Sequence, residues 1–318
     1  MTKTGYFTHP DCRRHEMGPG HPECPERLDA IEDRLLASGV DVGLDRRLAP
    51  EASLSDIELA HTRLHVAAMR GLRQELKESI AAGGRPYSQI DPDTAMNEHT
   101  WTAALRAAGA VLAATDAVMA GDLENAFCAV RPPGHHACRD KAMGFCFFNN
   151  VAIGAKYALE RHRVKRVAVV DFDVHHGNGT EDILAGDPRA LMVGMFQHPF
   201  YPFSGTEDPP SNTLNVPLPA YTGGAQVREV VAHQWLPRLR EFAPQMLFIS
   251  AGFDAHREDD MAQFGLVEAD YAWITRAIRD LADEVCQGRI VSCLEGGYNL
   301  SALGRSVVEH LRVLAGVE

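Results

Sequence analysis

The chain has 318 residues, and its 31 basic and 43 acidic side chains give it a formal net charge of −12. Its residues are 45% hydrophobic and 23% charged, a composition that can bury a large core and is unlike that of a disordered tail. The negative charge argues against nucleic-acid binding, which relies on basic patches. No run approaches the ~18 apolar residues of a membrane span, and the N-terminus lacks the apolar segment of a signal peptide. The sequence therefore predicts a cytoplasmic protein with neither nucleic-acid nor membrane partners.

Short apolar runs alternate with longer helical patterns along the chain. The predicted strands are, in order, Ala126–Val130, Arg166–Phe172, Leu191–Phe196, Met246–Gly252 and Arg289–Glu295. The predicted helices are one that begins at Pro25, followed by Trp101–Met119, Asn149–Arg161, Ala225–Phe242, Glu268–Val285 and Ser301–Leu314. Apolar strands that alternate with helices are typical of a parallel sheet covered on both faces. We predict a single α/β domain across residues 1–318, with a central parallel sheet flanked by helices.

The cysteines and histidines point to different chemistry. The seven cysteines are odd in number and form no CxxC pair, so we expect reduced thiols rather than disulfides or a thiolate zinc site. Several of the 15 histidines lie beside carboxylates and glycines. The segments that follow four of the strands read RPPGHHA, DVHHGN, FDAH and GGY. Because ligands bind beyond the carboxyl ends of the strands in an open α/β sheet, these segments predict an active site.

Asp173 and His175 are the first candidate metal ligands. Residues two apart in an extended segment point to the same side, so the two side chains can reach one metal ion. Asp254, at the end of another strand, would complete an open site of three protein ligands and a water molecule. Two carboxylates and one imidazole suit zinc, and they also suit Fe(II), Co(II) and Mn(II).

His135 and His136 lie together in a Pro-Pro-Gly-His-His turn. Neighbouring histidines in a turn can present different faces, one held by a carboxylate and the other directed at a reacting water. A metal lowers the pKa of its bound water towards ~7, and a nearby imidazole can take the remaining proton. Tyr298 follows two glycines, and a phenol there could donate a hydrogen bond to a developing oxyanion.

Together these segments resemble the histone deacetylase family within the arginase–deacetylase fold. The motifs RPPGHHA, GFCFFNN, DFDVHHGNGT, SAGFDAH and LEGGYNL carry the resemblance, with GHPECPERL near the N-terminus. Their order and spacing match the family from about Gly20 to Leu300, and HHGNGT and LEGGYNL look more like class II and bacterial class II-like members. The resemblance implies a zinc-dependent amide hydrolase that removes acetyl or other short acyl groups from the ε-amine of lysine in proteins or peptides.

The resemblance also implies metal ligands. The family's ligands fall on Asp173, His175 and Asp254, with zinc as the implied ion and Fe²⁺ or Co²⁺ as alternatives. Relatives bind a structural K⁺ beside the Asp171–His175 segment, partly through a serine hydroxyl on the next strand. Gly194 occupies that serine's position here, so we expect a K⁺ ion to rely on backbone carbonyls.

The family's catalytic residues fall on the tandem histidines and their partners. His136 matches the general base, and His135 matches the partner histidine that Asp171 orients. Tyr298 matches the tyrosine that stabilises the oxyanion. Where class I enzymes place an aspartate against the general base, this chain has Asn178. A neutral amide stabilises an imidazolium less than a carboxylate does, so we expect His136 to be the less basic histidine of the pair.

The substrate tunnel of the family also has counterparts. Gly144 and Phe145 match the wall that holds the stem of the acyl-lysine. The opposite aromatic wall is expected from Phe200 or Tyr201, and its distance to the following proline favours Tyr201. Met261 matches the apolar residue at the tunnel rim.

The residue that accepts the substrate's backbone amide is expected in the segment IDPDTAMNEH. Asp91 and Asp93 are both candidates, and the sequence does not choose between them. The physiological substrate, the acyl length and the oligomeric state also stay open, and a homo-oligomer is one expectation.

Acetylpolyamine hydrolysis on the same scaffold is the first alternative. The negative charge and the acidic stretch Glu258, Asp259 and Asp260 support it, because polyamines are cationic. The apolar Met261 opposes it, since polyamine-selective eukaryotic relatives carry a glutamate there.

Two further alternatives are weaker. An arginase-like enzyme with two manganese ions needs additional bridging carboxylates. Gly177 and His256 stand where two of those carboxylates would lie, so the second metal site is expected to be missing. A non-catalytic acyl-lysine or zinc sensor would not need the intact ligands, the paired histidines and Tyr298.

Overall fold

The computed structural model describes residues 3–317. Its strands are β1 (Thr4–Thr8), β2 (Leu44–Leu48), β3 (Ser88–Gln89), β4 (Ala95–Met96), β5 (Asn125–Cys128), β6 (Val167–Asp171), β7 (Ala190–Gln197), β8 (Thr213–Leu218), β9 (Met246–Ala251) and β10 (Ile290–Leu294). Eight of them form a parallel sheet in the order β2-β1-β5-β10-β9-β6-β7-β8, and β3 and β4 form a small antiparallel pair. The prediction of an α/β fold with a central parallel sheet is confirmed.

The α-helices flank this sheet. They are α1 (Glu26–Ser38), α2 (Leu54–Ile57), α3 (Arg63–Ala81), α4 (Thr100–Ala120), α5 (Asn150–Glu160), α6 (Asn178–Leu184), α7 (Gly224–Val230), α8 (Leu236–Phe242), α9 (Glu268–Cys286) and α10 (Leu300–Ala315). Every residue of the central strands β5, β6, β9 and β10 is buried. Helices α4 and α5 pack together over these strands, while α10 packs between α1 and α9.

Local sequence explains where several helices begin and end. Asn149 caps α5 by accepting a hydrogen bond from Ala152 N at 2.9 Å, and Asn299 caps α10 in the same way from Ala302 N at 3.0 Å. Such caps satisfy amide groups that have no partner within the helix. Gly316 follows α10 in the left-handed region at φ +63°, where glycine has no steric penalty.

The sequence patterns missed five strands and merged two helices into one. The edge strands β2 and β8 are only partly buried, so they lack the continuous apolar run by which the inner strands were found. Strand β1 reads TGYFT, so polar and small residues interrupt its apolar pattern although most of it is buried, and β3 and β4 have only two residues each. The predicted helix Ala225–Phe242 is α7 and α8 joined by a π-helical turn at Val231–Trp235, just before Pro237, which cannot donate a main-chain hydrogen bond.

Helix α4 qualifies the membrane prediction made from the sequence. By length and composition alone, Thr100–Ala120 could cross a membrane, although Arg106 and Asp116 interrupt its apolar run. Most of the helix is buried inside the protein, where it packs on α5 and on the central strands. Among the described residues, α4 is thus the one segment that comes close to a membrane span, contrary to the prediction from the sequence, and its burial identifies it as a core helix.

The strand order brings the reactive segments together. Strands β5, β10, β9 and β6 are direct neighbours at the centre of the sheet. These are the four strands that precede the RPPGHHA, GGY, FDAH and DVHHGN segments. Because all four strands are parallel, the segments emerge at the same edge of the sheet, as the sequence predicts.

Candidate active site

Asp173, His175 and Asp254 form a buried cluster beyond the ends of β6 and β9. His175 Nδ1 lies 3.0 Å from Asp173 Oδ1 and 3.1 Å from Asp254 Oδ2. One ligand atom from each residue lies within 4.8 Å of the others, and across residues 3–317 this is the only group of three or more such side chains with that geometry. The three predicted metal ligands are therefore brought together.

The surroundings of this cluster fit a divalent cation. A Cβ on Gly252 would overlap the Asp173 carboxylate, and a Cβ on Gly296 would overlap the Asp254 carboxylate, so glycine makes room for the ligands. Burial, together with the charge of Asp173, raises the pKa of Asp254 to about 6. Although burial opposes it, hydrogen bonds to both carboxylates raise the pKa of His175 to about 10. A bound cation would compensate the buried negative charge, and the donor set of two carboxylates and one imidazole suits zinc as well as Fe(II) and Co(II).

The tandem histidines lie beside this cluster with their rings 4.1 Å apart between centroids. His135 Nδ1 lies 3.0 Å from Asp171 Oδ2, whereas His136 Nδ1 lies 2.7 Å from the amide oxygen of Asn178. Burial lowers the pKa of His135, but the carboxylates of Asp173 and Asp171 outweigh it and hold that pKa well above its usual value. Burial and the neighbouring histidines hold the pKa of His136 well below its usual value. The surroundings therefore favour the protonated form of His135 and disfavour that of His136.

A buried glutamate that the sequence reasoning did not single out holds the histidine turn. Glu295 Oε2 accepts hydrogen bonds from Gly134 N at 2.6 Å and from His135 N at 3.1 Å. Ser250 Oγ donates to Glu295 Oε1 at 3.2 Å. Burial raises the pKa of Glu295 to about 7. A charged residue at the end of an otherwise apolar buried strand is the signal that could have drawn attention to it.

A cavity of about 190 Å³ opens beside His175. It is lined by the four residues predicted for the tunnel, Gly144, Phe145, Tyr201 and Met261. The remaining lining residues are Asp93, His136, His175, Phe200 and Tyr298. The structure therefore places the general-base candidate and the oxyanion candidate on the walls of the same cavity as the metal-ligand candidate His175.

The two candidate aromatic residues occupy different places in the cavity wall. The Phe200 ring stacks on the His175 ring at 5.7 Å between centroids with an interplanar angle of 25°. The Tyr201 ring meets His136 edge-on at 5.2 Å. A Cβ on Gly144 would lie 2.9 Å from the Tyr201 hydroxyl and would overlap the His136 ring. Position 144 therefore has no room for a side chain between His136 and Tyr201.

The structure distinguishes between the two candidate acceptors at the mouth. Asp91 Oδ1 accepts hydrogen bonds from Asp93 N at 3.1 Å and Thr94 N at 2.6 Å, which closes a turn. Asp93 lines the cavity, and Thr94 Oγ1 accepts a hydrogen bond from Phe145 N at 3.0 Å. Asp91 therefore shapes the loop, while Asp93 faces the place where a substrate would enter.

The acidic stretch at the rim is not a uniformly solvated loop. Asp259 is only 5% exposed, and its carboxylate accepts three main-chain hydrogen bonds, from Met261, Tyr298 and Asn299. Glu258 pairs with Arg305 at 2.8 Å. The support that this stretch gave to a polycationic substrate is therefore weaker than the sequence suggested, because two of its three acids have partners within the protein.

Arg27 lies behind Tyr298 and was not assigned a role from the sequence. It is fully buried, and its guanidinium carbon lies 4.9 Å from the centre of the Tyr298 ring. Its Nε donates to Gly297 O at 2.6 Å, and its Nη1 donates to Glu23 Oε1 at 3.0 Å. Both Glu23 and Arg27 belong to the segment GHPECPERL, which contributes to the family resemblance but suggests no role for either residue.

Position 177 has no room for the carboxylate that a second metal would require. A Cβ on Gly177 would overlap the Asp171 side chain. A carboxylate at this position is therefore incompatible with the observed placement of Asp171. The seven cysteines form no disulfide bond in the structure.

The comparisons with known proteins identify the family. The family model for the histone deacetylase domain matches residues 21–314. The chain belongs to the histone deacetylase family, and it is a deacetylase or amidohydrolase enzyme.

Individual relatives cover nearly the whole chain. A probable deacetylase from Archaeoglobus fulgidus is 38% identical over 93% of this chain and 82% of its own length. A histone deacetylase-like amidohydrolase from Pseudomonas aeruginosa is 34% identical over 97% of this chain and 86% of its own length. The crystal structure of the HDA15 HD domain matches with a TM-score of 0.90 and 34% identity, covering 99% of this chain and 88% of that one.

Proposed function

We propose that the enzyme is a zinc-dependent lysine deacylase, which removes acetyl or another short acyl group from the ε-amine of lysine in proteins or peptides. The observation that carries the proposal is the placement of His136, Tyr298 and the candidate metal ligand His175 on the walls of one narrow cavity. Apolar and aromatic side chains make up most of the wall, which suits the aliphatic stem of an acyl-lysine.

Asp173, His175 and Asp254 would hold the zinc ion, which would polarise the acyl carbonyl and acidify the attacking water. His136 is the general base of the proposal. Its Nδ1–H donates to Asn178, so Nε2 carries the free lone pair, and its lowered pKa keeps it neutral near pH 7. His136 Nε2 therefore takes the proton from the attacking water.

Tyr298 and His135 complete the proposed chemistry. The Tyr298 hydroxyl donates a hydrogen bond to the oxygen of the tetrahedral intermediate, where negative charge develops. Asp171 holds His135 beside the base as an imidazolium, and this positive charge stabilises the negative charge that develops on the oxygen of the intermediate. An imidazolium of the pair then returns a proton to the departing amine, and the products are a short carboxylic acid and a free lysine.

The cavity walls and mouth would position the substrate. Gly144, Phe145 and Tyr201 would enclose the acyl-lysine stem, with Met261 at the rim. Asp93, at the mouth, would accept a hydrogen bond from the substrate's backbone amide.

A structural K⁺ ion beside residues 171–175 is a further part of the proposal. Gly194 supplies no side-chain oxygen, so the ion would depend on main-chain carbonyls. A Cβ at Gly194 would meet Asp171 O at 3.7 Å, an ordinary contact, so this position could accept a serine. Gly194→Ser should therefore fold normally and strengthen the stabilisation of the protein by K⁺.

The test of the proposed function is product analysis on a peptide that contains one acetyl-lysine. Mass spectrometry should show loss of the acetyl group with release of acetate, and Asp254→Asn should abolish it by removing a metal ligand. A peptide left intact by zinc-loaded wild-type enzyme, with acetylputrescine hydrolysed in a parallel reaction, would move the assignment to polyamine hydrolysis at the same site.

A further inference from the structure

Asp259 joins the rim of the cavity to its tyrosine wall. Its Oδ2 accepts hydrogen bonds from Tyr298 N at 2.6 Å and from Asn299 N at 2.8 Å. Its Oδ1 accepts a hydrogen bond from Met261 N at 3.0 Å. The side chain is buried, and it is not part of the cavity lining. One carboxylate therefore holds the main chain on two sides of the cavity without touching the place of a substrate.

The loop that carries Tyr298 needs such a restraint. Gly296 and Gly297 precede the tyrosine, and Gly297 has φ +115°, a conformation open to glycine and rare for other residues. Two glycines in succession leave the main chain with little intrinsic stiffness. Two buried side chains compensate, because Arg27 Nε donates to Gly297 O at 2.6 Å and Asp259 accepts from the next residue, Tyr298.

We propose that Asp259 is a positioning residue, which fixes the Tyr298 main chain relative to the Met261 rim so that the tyrosine hydroxyl is held where the oxyanion forms. The inference rests on the proposed role of Tyr298. A hydrogen-bond donor stabilises a transition state only when it is held in place beforehand, and a shift of about 1 Å can cost about a hundredfold in rate. Loss of the Asp259 carboxylate should therefore lower kcat more than it changes KM, because Asp259 lines no part of the cavity and acts on its rim only through the Met261 main chain.

The neighbouring Asp260 supplies a matched control. It belongs to the same acidic stretch and carries the same charge, but its side chain is exposed. If the stretch acts only through negative charge on the rim, Asp259→Ala and Asp260→Ala should have similar effects. If Asp259 acts through Tyr298, only Asp259→Ala should lower kcat.

A double-mutant cycle with Tyr298→Phe tests the coupling. The substrate is a trifluoroacetyl-lysine peptide, whose activated carbonyl leaves measurable turnover without the tyrosine hydroxyl. Asp259→Ala should lower kcat about tenfold or more in the wild-type background and less than about twofold in the Tyr298→Phe background. Asp259→Asn keeps one acceptor oxygen and should lie between wild type and Asp259→Ala. Zinc content and thermal unfolding are measured for every variant.

Equal fold losses of kcat in the two backgrounds would overturn the inference, because a general structural defect does not depend on the tyrosine hydroxyl. An unchanged kcat for Asp259→Ala would overturn it as well. If Asp259→Ala does not fold, the same cycle is run with Asp259→Asn. Wild-type turnover of the peptide reports on the proposed function by itself. Should the wild type hydrolyse only acetylputrescine, N-trifluoroacetylputrescine replaces the peptide in the cycle.

Discussion

His136 Nδ1 lies 2.7 Å from the side-chain oxygen of Asn178, a neutral partner, while the adjacent His135 faces the carboxylate of Asp171 at 3.0 Å. The two rings lie side by side with their centroids 4.1 Å apart, but the partner of His135 is a carboxylate and the partner of His136 is a neutral amide. Burial and the neighbouring His135 and His175 hold the pKa of His136 below its usual value, whereas the carboxylates of Asp173 and Asp171 outweigh burial and raise the pKa of His135, so His136 is the less basic of the two. The less basic histidine of the pair is the one that lines the cavity.

Replacing Asn178 by aspartate should make His136 more basic. A carboxylate beside Nδ1 stabilises the imidazolium, so the pKa of His136 rises by about one unit or more. Because the base works only when it is unprotonated, the acid limb of the kcat/KM profile should move to higher pH. Asn178→Ala removes the acceptor altogether and should move the limb to lower pH. A downward shift for Asn178→Asp would contradict the assignment of His136.

Removing the Tyr298 hydroxyl should slow catalysis without weakening substrate binding. Tyr298→Phe keeps the aromatic wall of the cavity and loses only the proposed oxyanion donor. We expect kcat for an acetyl-lysine peptide to fall by about 10²–10³ with little change in KM. Tyr157→Phe, on the outer surface of α5, is the matched control and should leave kcat unchanged. The measurement is steady-state kinetics on variants with equal zinc loading. If Tyr298→Phe were as fast as wild type, Tyr298 would not be the oxyanion donor.

Zinc binding should require a glycine beside the carboxylate ligands. A Cβ on Gly296 would overlap the Asp254 carboxylate, so Gly296→Ala should displace this ligand and leave little bound zinc. Gly194→Ala is the control, because its Cβ would meet nothing closer than 3.7 Å. Zinc is measured by atomic emission after dialysis. Full zinc occupancy in Gly296→Ala would show that these carboxylates are not the ligands.

The buried Glu295 should make stability depend on pH. Its pKa is raised by burial from 4.5 to about 7, so its proton is held more tightly in the folded protein than in the unfolded chain. Protonated Glu295 therefore contributes favourably to the free energy of unfolding below about pH 4.5, and this contribution is lost as the pH rises towards about 7. Glu295→Gln cannot lose a proton, and each unit of pKa shift corresponds to about 1.4 kcal/mol.

The free energy of unfolding of Glu295→Gln, relative to wild type, should therefore increase between about pH 5 and about pH 8. Urea denaturation across this range measures the difference. Glu75→Gln, at an exposed position on α3, should show no such trend. A difference between Glu295→Gln and wild type that stays constant with pH would contradict the raised pKa.

The sequence revealed the central sheet and the reactive segments because buried parallel strands are apolar throughout and their ends are not. Asp173 and Asp254 stood out because each lies just after the end of such a strand. The edge strands β2 and β8 were not predicted, because a half-exposed strand has no continuous apolar run.

The residues that support the site could not be recognised in the same way. Asp259 looked like one of three surface acids, and only the fold shows that it is buried and accepts three main-chain hydrogen bonds. Arg27 reaches Gly297 from 270 residues away along the chain. No local pattern records such a contact, since it depends on the packing of α1 against the end of β10.

The most direct test of the central claim is kcat/KM on a panel of three substrates, an acetyl-lysine peptide, a trifluoroacetyl-lysine peptide and N-acetylputrescine. Each is measured with the native enzyme, after chelation, and after zinc is restored. We expect both acyl-lysine peptides to be hydrolysed, the activity to disappear on chelation and to return with zinc. Hydrolysis confined to N-acetylputrescine, or hydrolysis of the peptides that chelation leaves unchanged, would contradict a zinc-dependent lysine deacylase.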